Sequence, residues 1–80
     1  MITNKIIAQK VSSMLLDISG QIDESVALVK DNCSEEEFLA YRTAAGAILG
    51  AILMDALNPI FSKNPEISPS ELRHFYEISK

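Results

Sequence analysis

The amino-acid sequence predicts an all-α protein: a long antiparallel helical hairpin followed by a short third helix at the C-terminus. Three observations carry that expectation. Apolar residues recur at steps of three and four along most of the chain, the spacing that collects side chains on one face of a helix. Helix-start signatures stand at 34–37 and 68–71. The segment between the first two periodic stretches is only a few residues long, which folds neighbouring helices back against each other.

The first helix is expected over about 4–32. Ile7, Val11, Met14, Ile18, Ile22, Val26, Val29 and Cys33 form its apolar stripe, opposite Lys5, Gln9, Ser13, Asp17, Glu24 and Asp31. Thr3 or Asn4 supplies a side-chain oxygen to cap its start. Gly20 weakens a helix interior by about 1 kcal/mol relative to alanine. The stripe keeps its phase across it, which favours one continuous helix over a break.

Ser34-Glu35-Glu36-Glu37 reads as a capping box, with Ser34 and Glu37 each accepting the other's backbone N–H. The three acidic residues also complement the positive end of a helix dipole. The second helix follows over about 35–57, with a kink or stop at Pro59, whose ring crowds the preceding turn and lacks an N–H. One face carries Phe38, Arg42, Ala45, Leu49, Ile52, Leu53 and Ala56. The reverse face carries the small residues Ala40, Thr43, Ala47, Gly50 and Ala51, with Gly46 on the flank and Met54 at the end. No charge lies between Arg42 and Asp55, a stretch of about 12 residues where a bilayer span needs about 20. Membrane insertion is not expected.

Ser62-Lys63-Asn64-Pro65-Glu66 is a polar connection with turn chemistry. Ser68-Pro69-Ser70-Glu71 announces a third helix over about 69–79, carrying Leu72, Phe75, Tyr76 and Ile78. The whole of 1–80 reads as one helical domain. A chain this short buries only about 60% of its unfolded surface and often recruits a partner. A second helix that is apolar all round exceeds what one hairpin and a short third helix can cover. A homodimer that pairs two hairpins into a four-helix core is the economical solution, and a compact three-helix monomer is the alternative. The expected interface is Ala40, Thr43, Ala47, Gly50, Ala51 and Met54, with a neighbouring helix so close that a methyl added at Gly50 collides.

Composition excludes more than it assigns. The net charge is −4, and the seven basic residues are scattered, which argues against a phosphate-tracking nucleic-acid surface. Cys33 is the only cysteine, and the apolar run Ile6-Ile7-Ala8 is too short for a secretory core, so a reducing, cytoplasmic setting is expected. His74 is the only histidine. With Cys33 it would supply two zinc ligands where a structural site wants four. No glycine-rich phosphate loop is present. No catalytic residue, cofactor or metal is expected, and the chain reads as a non-catalytic, acidic protein–protein interaction module. Arg42 is the candidate anchor for a partner. The competing reading is a carrier or sensor of a small apolar ligand, held between helices near Tyr41 and Arg42.

Overall fold

The computed structural model describes residues 1–68, and all regular structure among them is helical. Helix α1 spans Lys5–Asn32 and α2 spans Glu35–Ala51. A π-helical stretch, Ile52–Leu57, then leads into α3, Asn58–Lys63, and a single 3₁₀ turn, Pro65–Ile67, follows. The expected third helix over 69–79, with His74, lies outside the described residues.

The starts of the helices form as their side chains dictate. The Ile7 N–H donates to Asn4 Oδ1 at 3.1 Å, so Asn4 is the cap of α1. The Glu37 N–H donates to Ser34 Oγ at 3.1 Å, and the Ser34 N–H donates to Glu37 Oε1 at 3.2 Å, closing the capping box. Helix α1 passes through Gly20 unbroken. Between the two helices the chain turns at Cys33, which is exposed and does not continue a buried stripe. We call this end of the hairpin the tip.

The second helix neither ends at 57 nor stops at Pro59. It runs on to Lys63, because the turn before the proline widens. Within that stretch the Asn58 N–H reaches the Leu53 carbonyl, five residues back. Pro59 has no N–H to place in the ladder, and its ring would crowd the carbonyl four residues earlier in a regular helix. A wider turn accommodates both without a break. The insertion also shifts the buried face by one residue. Phe38, Ala45, Leu49 and Ile52 face α1 before it, whereas Leu57, Ile60 and Phe61 face α1 after it.

Those last three, with Ala8, form the buried core, packed by Ile2, Val11, Leu15, Ile52 and Ile67. The core therefore sits at the open end of the hairpin, here called the base. Burying side chains of this size contributes about 1.5–3 kcal/mol each. A clasp closes the same end: buried Asn64 donates from Nδ2 to the Ile2 carbonyl at 2.9 Å and to the Ile60 carbonyl at 3.1 Å. The polar connection expected over 62–66 is thus partly interior, with Pro65 also buried, and Ser68 beyond it is buried as well. Ser68 Oγ donates to the Pro65 carbonyl at 2.6 Å.

The face that α1 turns toward α2 differs from the expected stripe. Ala8 and Ser12 are buried, and Leu15, Ser19, Ile22, Val26 and Val29 are half-buried. These seven positions alternate in steps of four and three, the spacing of a coiled-coil seam. Ile7, Met14 and Ile18, expected inside, are 45%, 63% and 43% exposed. Small serines suit the seam because their hydroxyls are satisfied within α1. Ser12 Oγ donates to the Gln9 carbonyl at 3.0 Å, and Ser19 Oγ donates to the Leu15 carbonyl at 2.9 Å.

Candidate interaction surface

The small-residue face of α2 exists as a surface and meets nothing within the described chain. Ala40, Thr43, Ala47, Ala51 and Met54 are exposed and Gly50 is half-buried. Thr43 Oγ1 bonds back to the Leu39 carbonyl at 3.0 Å, and Met54 Sδ accepts from Asn58 Nδ2 at 3.4 Å. A Cβ built on Gly50 has no heavy atom within 4 Å, and the same holds at Gly46. The close neighbour expected at Gly50 is therefore not another part of this hairpin. Gly46 and Gly50 stand four apart, the small-xxx-small spacing that lets two helix backbones approach.

Arg42 and Tyr41 are both engaged within the hairpin. The Arg42 guanidinium lies 5.5 Å from the centroid of the Phe38 ring, a contact worth about 0.5–1 kcal/mol at an exposed site. The Tyr41 hydroxyl lies 2.7 Å from Ser25 Oγ, and Ser25 Oγ donates its single proton to the Ile22 carbonyl at 2.6 Å. Tyr41 is therefore the donor to Ser25. A recess of about 510 Å³ opens elsewhere, lined by Ile6, Gln9, Lys10, Ser13 and Met14. Its volume falls in the range of small-molecule sites, but its lining comes from one helix. Such a trough lacks the opposing walls that bury most of a ligand's surface.

One broad side of the hairpin stands out once Ser25 and Tyr41 are known to meet. Ile18 is seven residues before Ser25, and Ile48 is seven residues after Tyr41. Seven residues are two helical turns, so each isoleucine lies on the same side as the polar pair. Because the helices are antiparallel, Ile18 and Ile48 fall at the same level. Ile48 is 52% exposed. Met14 and Ile7 continue the row on α1, and Ala44 and Ala51 continue it on α2. Exposed Lys10, three residues after Ile7 and four before Met14, is the charged residue that borders this row. Ile7, Met14 and Ile18 do share one face of α1, as their spacing predicts, but that face is exposed.

Charge is distributed along the hairpin instead of across it. The tip carries Asp31, Glu35, Glu36 and Glu37 beside Lys30, and the base carries Lys5, Lys10 and Lys63 beside Asp55 and Glu66. Lys5 Nζ and a Glu66 carboxylate oxygen lie 3.6 Å apart. Among the described residues no three His, Cys, Asp or Glu side chains are placed to hold a metal ion.

The continuous helix from Glu35 to Lys63 is 29 residues long and reaches a mean hydropathy of 1.6, so by length and composition alone it is able to cross a membrane. The expectation against insertion rested on the uncharged stretch between Arg42 and Asp55; the continuous helix extends well beyond it on both sides. Helix α1 lies along α2 and carries exposed Asp17, Asp23 and Glu24 beside its middle.

Comparison with known proteins identifies no relative: no protein-family model, no curated protein and no solved structure matches the chain.

Proposed function

We propose that this chain is a non-catalytic, cytoplasmic helical interaction module that works as a homodimer, its hairpins pairing into a four-helix core, and that it engages another protein in that form. The observation that carries this reading is area. The chain exposes 5566 Å², against about 4,770 Å² for a compact monomer of its mass. The excess of roughly 800 Å² is what one partner contributes to a standard-sized interface. The shape agrees: the radius of gyration is 15.0 Å, where a compact chain of this length has about 11.6 Å. Among the described residues twelve large hydrophobic side chains are exposed, and pairing two hairpins gives them somewhere to go.

Linkage supplies the test. A folded dimer that unfolds to monomers becomes more stable as its concentration rises, and a monomer does not. Thermal denaturation across a hundredfold range of concentration should move the midpoint upward. An unchanged midpoint counts against the reading.

A further inference from the structure

We infer that the second copy seats on the broad side of the hairpin lined by Ile7, Met14, Ile18, Ala44, Ile48 and Ala51, and that it lies antiparallel, with the acidic tip of each copy beside the lysine-bearing base of the other. This rests on the self-association proposed above and specifies its face and direction.

Three observations converge on that side. Both helices contribute large exposed apolar groups to it: Met14 is 63%, Ile48 52%, Ile7 45% and Ile18 43% exposed. The rear of α2 offers alanine, glycine and threonine, which bury far less apolar area per residue. Two hairpins meeting on their broad sides form a four-helix layer in which each helix touches two others, as a bundle requires. Meeting on the rear of α2 would leave the α1 row in water. Direction follows from charge. A parallel pair would bring Asp31, Glu35, Glu36 and Glu37 of both copies to one end, a clustering of like charges that is destabilising at short range. An antiparallel pair sets those carboxylates against the base, where Lys5, Lys10 and Lys63 outnumber Asp55 and Glu66 and Lys5 already pairs with Glu66. Its twofold axis passes near the hairpin's midpoint, where Ile18 and Ile48 lie level, so that each meets the other's counterpart across the axis.

The experiment uses the full chain and its single native thiol. Light scattering is measured on the wild type and on Ile18→Glu, Ile48→Glu and Gly50→Leu, with circular dichroism to confirm helicity. The expected result is a dimeric wild type, monomeric and still helical glutamate variants, and a Gly50→Leu protein that remains dimeric. In parallel, exposed Cys33 of the wild type carries a spin label. The tip-to-base arrangement predicts a separation on the order of the hairpin's 44 Å length. Labels within about 20 Å, two helix diameters, would overturn the antiparallel direction, and this readout does not depend on any variant folding. Glutamate variants that stay dimeric, or a Gly50→Leu substitution that alone splits the pair, overturn the face while leaving self-association standing. A wild type at monomer mass that pellets with phosphatidylcholine–phosphatidylglycerol vesicles overturns self-association itself and assigns the apolar row to lipid.

Discussion

Gly50→Ala reports on the two open faces of α2 with a change of one methyl group. Glycine in a helix interior is about 0.8–1.0 kcal/mol less favourable than alanine, because its backbone loses more freedom on folding. Gly50 stands in an unbroken helix, its φ is not positive, and nothing lies within 4 Å of the added Cβ. With the second copy on the broad side, the methyl meets no neighbouring element among the described residues. The substitution then stabilises by the full propensity difference, about 0.8–1.0 kcal/mol, a rise in Tm of roughly 4–8 °C for a domain of this size. From the sequence alone a close-packed groove predicts the opposite sign. The open space around Gly50 is what reverses it. Urea denaturation at one fixed concentration, with light scattering on the same samples, measures both quantities. A loss of about 1–3 kcal/mol, the usual consequence of overpacking, accompanied by dissociation would refute the reasoning. The interface would then be Ala40, Thr43, Ala47, Gly50, Ala51 and Met54.

Three further substitutions test the fold that presents these faces. Phe61→Ala, at a position 1% exposed, should cost about 3–5 kcal/mol. A chain of this length has only about 4–12 kcal/mol in all, so a large unfolded fraction at 37 °C by circular dichroism is expected, and a small shift would show the core is elsewhere. Asn64→Ala removes the clasp and strands the Ile2 carbonyl. A loss of about 1–3 kcal/mol is expected, together with faster amide exchange in the first turn of α1. Ser34→Ala should cost about 0.5–2 kcal/mol, read as a lower denaturation midpoint, since it leaves the Glu37 N–H without its acceptor.

What the sequence made legible was local chemistry. Asn4, Ser34 and Glu37 announce helix starts because their side chains satisfy nearby N–H groups, and such bonds need no tertiary context. Continuity through Gly20 was likewise readable, since the apolar phase survives it. Which face turns inward was not. Ala8, Ser12 and Ser19 form the seam against α2, yet alanine and serine carry little hydropathy signal, so the larger Ile7, Met14 and Ile18 beside them drew the stripe away. The widened turn before Pro59 was hidden for a related reason. A proline reads as a stop, and only the burial of Leu57, Ile60 and Phe61 against Ala8 shows why the helix continues. Cys33 looked interior by extrapolating a period across the residue where the helix ends. The small-residue face of α2 was visible as a pattern, but its neighbour is not encoded in the pattern.

Sedimentation equilibrium on the wild-type chain tests the central claim most directly. At micromolar concentration the account predicts a species of twice the 8.8 kDa chain mass, dissociating only on dilution. A single species at 8.8 kDa that persists to hundreds of micromolar would contradict it.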